Sequence, residues 1–318
     1  MTNLVAPSLV ALDWGTSSLR AYLLGPDGAV LDRRAGPWGI MQVQAGDFAG
    51  AFATVTAAWQ ARWPELPALA SGMIGSAQGW VEAPYLECPA GAGELAHALV
   101  AVPGTRLLLV PGVAQWGATP NVMRGEETQI AGALALRAEL HASCRIVLPG
   151  THSKWVTVTD GRIRHFTTYM TGELFAVLRG HSILGRLAAG EGAPEAEAAA
   201  AAFARGLLAA RDAPGGIAPL LFSARALVLA GALRAAESLD YLSGLLIGDE
   251  LRTALAAPPE TAGPLALVGD AALCDRYARA IALFGGPDPI VLGDTATSGL
   301  WRIARDAGLV APSASCQE

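Results

Sequence analysis

Residues 8–24 read SLVALDWGTSSLRAYLL. Two apolar, β-prone runs, Ser8–Leu12 and Leu19–Leu24, enclose an aspartate followed by small and hydroxyl-bearing residues. A surface hairpin has such a turn. So does a loop that receives a phosphate: backbone N–H groups and hydroxyls face the anion, and the acid faces the metal ion that travels with it. The remainder of the chain decides between them.

The next signals extend a regular α/β order. Pro26-Asp27-Gly28 is a turn signal, and a third strand comes after it at 29–33. Phe48, Phe52, Val55 and Trp59 recur at helical spacing within a helix expected over 46–62, which Pro64 ends. A short strand at 68–71 leads into the glycine-rich stretch GMIGSAQGW (72–80). A helix at 93–100 and a buried strand at 106–110 complete the first half. The second half repeats this order. Strands are expected at 145–148, 155–159 and 163–168, with the turn Asp160-Gly161 between the last two. A long helical region runs to about residue 256, and its Ala-rich stretch 195–210 reads as a solvated helix. After Pro258-Pro259 come a strand at 265–268, a helix at 271–284, a strand at 289–292 and a helix at 296–308. Two similar α/β halves, βββαβαβα in order, are expected.

Bulk properties narrow the function classes. The chain has 318 residues, enough for two domains with full cores, and is 52% hydrophobic and 16% charged. Its net charge of −6 gives no reason to expect nucleic acid or an anionic membrane as partner. No apolar run reaches the length of a spanning helix, and the N-terminus lacks the marks of a signal peptide, so a cytoplasmic location is expected. Cys88, Cys144, Cys274 and Cys316 are scattered, which suggests neither a zinc site nor a disulfide framework. All but one of the 22 basic residues are Arg, and the single lysine, Lys154, sits in LPGTHSKW between two expected strands. An Arg-rich composition leaves an isolated Lys by chance. A compact ammonium is also what a tight anion site requires and a guanidinium fork does not supply.

Three loops now stand at corresponding strand ends: DWGTSSLR (13–20), PGTHSKW (149–155) and LVGD (267–270). Each is weak alone. In this order, on this repeat, they resemble the phosphate-one, phosphate-two and adenosine loops of the actin, hexokinase and sugar-kinase superfamily. Longer segments narrow the resemblance: SGMIGSAQGWVEAPYLECPA (71–90), NVMRGEETQIAGAL (121–134), LPGTHSKWV (148–156), FTTYMTGELFAVLRGHSILG (166–185), YLSGLLIGDEL (241–251) and LVGDAALCDRYARA (267–280). Over nearly the whole chain they are similar to the 2-dehydro-3-deoxygalactonokinase family.

The resemblance implies an α/β fold of two ribonuclease-H-like (actin-like ATPase) domains facing a cleft, 1–122 and 123–318, with a helical insertion in the second. It implies ATP and magnesium as cofactors and a small sugar acid as partner, phosphorylated on its C6 hydroxyl in galactonate breakdown. Oligomeric state is left open, with a homodimer as one option. By the same resemblance Asp13 would hold magnesium, and Gly15, Thr16, Ser17 and Ser18 would hold phosphate oxygens. Arg20 would stabilise the transferring phosphoryl group. Gly150, Thr151, Ser153 and Lys154 would serve the β- and γ-phosphates, while Gly269 and Asp270 would approach the nucleoside.

A sugar hydroxyl attacking phosphorus needs a carboxylate to accept its proton. Related kinases carry Gly-Asp at the head of a helix before the phosphate-two strand. Gly125-Glu126-Glu127 stands there in this chain, so glutamate replaces aspartate, with Glu126 favoured and Glu127 the alternative. Helix N-termini favour carboxylates in any case. The substrate's own carboxylate needs a cation, and Arg124 has the right fork. The 72–79 loop resembles in position the substrate-contacting loop of related sugar kinases, which implies that Ser71, Ser76 and Gln78 would meet hydroxyls. Thr171-Gly172-Glu173 reads either as a helix cap with its carboxylate partner or as a substrate contact, and His152, inside the loop that resembles phosphate-two, would bond phosphate.

Other classes fit less well. A Walker loop needs Gly-Lys, and the only lysine follows Ser153. No GxGxxG follows the first strand. A kinase for the gluco epimer of the acid, or a phosphatase or ATPase on the same fold, remains open on fold grounds.

Overall fold

The computed structural model describes residues 6–256 and 263–311. Pro258, Pro259 and Cys316 lie outside them. The chain forms two compact units. Among the described residues, those up to Cys144, Val156–Phe166 and those from Asp294 form the first; Arg145–Trp155 and those of Thr167–Gly293 form the second. This division by packing differs from a cut after residue 122, because residues 123–144 and the last helix pack with the first unit.

In the first unit β1 (Leu9–Trp14), β2 (Leu19–Leu24) and β3 (Val30–Gly36) form an antiparallel meander, with Asp13 opposite Arg20. The helix α1 (Phe48–Arg62) comes next, capped by Asp47, whose carboxylate accepts from the Gly50 N–H at 2.8 Å. Its buried Phe48, Phe52, Val55 and Trp59 are the helical-period residues of the sequence. β4 (Ala68–Ser71) pairs in parallel with β1, setting Ser71 beside Asp13. Short strands β5 (Leu86–Glu87) and β6 (Ala90–Gly91), helix α2 (Ala92–His97) and strand β7 (Val100–Ala101) lead to β8 (Leu107–Leu109), parallel to β4. The sheet order is β3-β2-β1-β4-β8-β7. β1 is buried along nearly all its length, so it reads as an unbroken apolar run; β3, at the edge, is mostly exposed and carries Asp32, Arg33 and Arg34. β9 (Val113–Gln115) and β10 (Asn121–Met123) form a small sheet with β5, before helix α3 (Glu126–Leu136).

The second unit repeats the plan. β11 (Ser143–Leu148), β12 (Ser153–Thr159) and β13 (Arg162–Tyr169) are followed by helices α4 (Thr171–His181), α5 (Ala196–Arg211), α6 (Ser223–Leu229) and α7 (Ser238–Ala256). β14 (Leu265–Val268), α8 (Ala271–Leu283) and β15 (Ile290–Leu292) complete it, and α9 (Ala296–Asp306) returns to the first unit. The order β15-β14-β11-β12-β13 is again fifth-fourth-first-second-third, with β14 parallel to both β11 and β15. The outer parts of β12 and β13 group with the first unit, where Arg162 pairs with Gly91 of β6. Both units therefore have the ribonuclease-H-like strand order, and α4–α7 form a helical insertion between the third and fourth strands of the second. α9 packs on α3, and the Thr295 hydroxyl donates to the Gln129 carbonyl at 2.6 Å.

The expectation of a solvated helix at 195–210 is corrected. One face of α5 (Ala202, Phe203, Gly206, Leu207, Ala210) is buried, packed on α7. Small residues permit this: a Cβ on Gly206 would lie 2.2 Å from the Tyr241 carbonyl oxygen, so the two backbones nearly touch. Among the described residues no helix is long and apolar enough to cross a membrane.

Candidate active site

In the first unit the site residues gather where β1 and β4 end, the usual ligand edge of a parallel α/β sheet. Beyond Asp13 the chain turns through Gly15–Ser18, where the Gly15 N–H donates to the Ser18 carbonyl at 3.0 Å and Thr16, Ser17 and Ser18 stay exposed. Residues 38–41 brace this turn. The Ile40 and Met41 N–H groups donate to the Gly15 and Thr16 carbonyls, and the Trp14 indole N–H donates to the Trp38 carbonyl at 2.6 Å. At the end of β4, Gly72 has φ of 98°, and a Cβ there would lie 2.7 Å from the Trp14 carbonyl oxygen. Gly125, at the head of α3, packs against Gly72. Asp13, Ser71 and the start of α3 are thereby brought together.

Two acids share one cation here. Arg20 Nη1 lies 3.4 Å from Asp13 Oδ2 and 3.3 Å from Asp294 Oδ2. Burial raises the Asp13 carboxyl to about 6; Asp294 pushes it the same way and Arg20 opposes both. The other oxygen of Asp294 accepts from the Ala296 N–H at the start of α9, which fixes its aim. The sequence reading missed Asp294. Its signal was a repeated ending, LVGD (267–270) and VLGD (291–294), of which only the first was singled out.

The two glutamates of α3 have different surroundings. Glu127 is buried; its carboxyl accepts from the Gly125 N–H at 2.7 Å and the Thr128 hydroxyl at 3.1 Å. Burial, reinforced by Glu126, raises it to about 8. Glu126 is half-buried, and its Oε2 accepts from the Arg124 N–H at 3.0 Å. Arg124 is itself buried: Nη2 donates to the Ala83 carbonyl at 2.7 Å and the guanidinium lies 4.3 Å from the Tyr85 ring centroid. Its Nε and Nη1 have no hydrogen-bond partner among the described residues, nor does the hydroxyl of buried Ser76. Gly75 lies against Nη1, so the 72–79 loop covers this arginine. Ser71 is buried and Gln78 exposed.

In the second unit the turn after β11 carries Gly150, Thr151, His152, Ser153 and Lys154. Ser153 and Lys154 are buried, and Lys154 Nζ donates to the His152 carbonyl at 2.9 Å. His152 Nε2 meets Glu173 Oε2 at 2.5 Å. Thr171 does not cap α4 as the sequence suggested: its hydroxyl donates instead to Glu250, a buried acid the sequence reading had passed over. Asp270 caps α8 by accepting from the Leu273 N–H at 3.0 Å, with Gly269 just before it. Beside these turns lies a cavity of about 250 Å³, lined chiefly by α7 and α8 (Leu239, Asp240, Ser243, Ile247, Leu273, Arg276) and by Gly150 and Thr171. Gly269 and Asp270 are not among its lining residues. Arg276 is paired with Asp240 at 3.0 Å and stacked on Phe203 at 4.0 Å.

Two ribonuclease-H-like units, the first with an aspartate one residue before the end of its first strand and the second with a lysine-bearing turn beside a cavity, define an α/β protein of the actin-like ATPase fold. Comparison with known proteins narrows the class. The family model described as 2-keto-3-deoxy-galactonokinase matches residues 13–303. The 2-dehydro-3-deoxygalactonokinase of Escherichia coli K12 is 37% identical over 288 residues, 90% of this chain and 94% of that protein. A Rhizobium meliloti protein provisionally assigned the same activity is 41% identical over 279 residues, 85% of this chain and 88% of that one. A Sinorhizobium meliloti crystal structure, likewise provisionally assigned, superposes with a TM-score of 0.86 at 38% identity, covering 93% of this chain and 98% of that one. The chain belongs to the 2-keto-3-deoxy-galactonokinase family.

Proposed function

We propose that the protein transfers the γ-phosphoryl group of ATP to the C6 hydroxyl of 2-dehydro-3-deoxy-D-galactonate in galactonate breakdown, in the cytoplasm. The observation that carries the substrate class is Arg124, a buried guanidinium with two N–H groups unpartnered among the described residues, next to an unpartnered Ser76 hydroxyl. Leaving such donors unmade is costly, and a carboxylate with a neighbouring hydroxyl satisfies them. Ser71 and Gln78 would add hydroxyl contacts.

The nucleotide would lie in the second unit. The apolar walls of its cavity suit a nucleoside, Asp240 and Ser243 supply polar contacts, and the Gly150-Thr151 turn with Ser153 and Lys154 would take the phosphates. Gly269 and Asp270 would shape the approach by starting α8. The donor set in the first unit fits magnesium: Asp13 and Asp294 present hard oxygens already gathered around a cation, Arg20. Bound there, magnesium would neutralise phosphate charge. Gly15, Thr16, Ser17 and Ser18 offer N–H groups and hydroxyls to phosphate oxygens, and Arg20 supplies charge where it spreads over the transferring group.

Glu126 is the base in this reading. It is half-exposed at the head of α3 beside Arg124, whereas Glu127 is buried and holds its proton at neutral pH. Glu126 would accept the C6 hydroxyl proton as that oxygen attacks in line. The test is ADP release with magnesium–ATP and a panel of 2-keto-3-deoxygalactonate, its gluconate epimer, galactonate and glycerol. A strong preference for the first is expected. Equal use of both epimers would leave a kinase with a permissive pocket; ATP hydrolysis indifferent to acceptor would refute the reading.

A further inference from the structure

Glu250 on α7 is 2% exposed, yet every direction around its carboxylate is occupied by a donor. Oε1 accepts from the Ser153 hydroxyl and the Trp155 indole N–H, each at 2.7 Å. Oε2 accepts from the Tyr277 hydroxyl at 2.7 Å and from the Thr171 hydroxyl. Two oxygens offer about four lone-pair sites, and four donors fill them. The donors come from three separate elements: β12 as it leaves the Gly150–Ser153 turn, the first residue of α4, and α8. Gly150, Thr171 and Tyr277 line the cavity, as do Leu246 and Ile247, one turn before Glu250 on α7.

A solvated turn has no need of a buried acid at its root. Burying a carboxylate is costly unless its hydrogen bonds are complete, so a complete set fixes all four donors relative to one another. We propose that Glu250 is a positioning residue that locks the Gly150–Ser153 turn and the walls of the adjoining cavity into one rigid nucleotide seat. This rests on the assignment of that cavity to the nucleotide. Glu250 contacts no ligand itself; its effect on binding passes through Ser153, Thr171 and Tyr277. A glutamine there offers one oxygen and one NH2 group, so two of the four donors lose their acceptor while size is kept.

The experiment compares wild type with Glu250→Gln, Trp155→Phe and the double variant. ATP binding is measured by calorimetry, and KM values for ATP and for the sugar acid are measured separately. Glu250→Gln is expected to weaken ATP binding and raise the ATP KM about tenfold, leaving the sugar-acid KM within about twofold. Trp155 does not line the cavity, so its smaller effect on ATP must travel through Glu250, and the double variant should be no worse than Glu250→Gln alone. Additive effects, or equal changes in both KM values, would overturn the proposal. If Glu250→Gln does not fold, Trp155→Phe and Tyr277→Phe decide: unchanged ATP affinity in both refutes it. The calorimetry reads the nucleotide seat directly, whereas absence of ADP release from the wild type would count against the substrate assignment alone.

Discussion

In both units the chain leaves the first strand of the sheet, turns and returns as the second strand. After β1 the turn is exposed and comes directly behind an acid: Asp13 points toward Arg20 and Asp294, and Thr16–Ser18 face solvent. After β11 no acid stands in that place. Leu148 and Pro149 lead into the turn, and the residues that close it, Ser153 and Lys154, are buried and tied to Glu250 and the turn's own backbone. One scaffold thus presents a carboxylate pair at one turn and a lysine at the other. Strand order does not set the chemistry; the side chains at the strand ends do. In the proposed function the first unit takes the metal ion and the anionic acceptor, and the second takes the nucleotide.

Substitutions at matched points should break this contrast in order of effect. Asp13→Asn removes the acid of the first turn and should lower kcat about 1000-fold, with circular dichroism and melting unchanged; near-normal turnover would refute its role. Arg124→Met should raise the sugar-acid KM about 100-fold while the ATP KM holds, because the proposed buried pair to the substrate carboxylate cannot form. Glu126→Gln should lower kcat about 100-fold, the usual worth of a general base. Glu127→Gln should leave kcat within about threefold, since that carboxyl is buried and protonated.

The smallest effect sharpens the comparison of the two glutamates. Glu127 is held at about 8 in the folded chain, well above its ordinary value of 4.5. Its contribution to stability is therefore fully present below pH 4.5 and is lost as pH rises through 8. Between these limits the native state keeps a proton the unfolded state has released, so stability should fall by up to ~1.4 kcal/mol per pH unit from this group. Urea titrations across that window should show the slope in wild type and a shallower one in Glu127→Gln. Equal slopes would mean that Glu127 is ionised in the fold.

Much of the fold was legible because its strands are buried on both faces. β1, β4 and β14 read as unbroken apolar runs, and α1 shows its buried face at regular spacing. Residues next to one another in the chain, such as the 13–20 loop or Gly125-Glu126-Glu127, could also be singled out directly. Contacts made across the chain could not. Asp294 meets Asp13 through Arg20 only once α9 has returned to the first unit, and Glu250 sits in an apolar helix with donors from three other elements. The alanines of α5 misled for a similar reason: small residues suit solvent as well as a close helix crossing, and only α7 decides between them.

The proposed division of labour between the units is tested most directly by calorimetric binding of each ligand to Arg124→Met and Tyr277→Phe. Arg124→Met should lose sugar-acid affinity and keep ATP affinity; Tyr277→Phe should weaken ATP and keep the sugar acid. Loss of both ligands together in either folded variant would contradict the account.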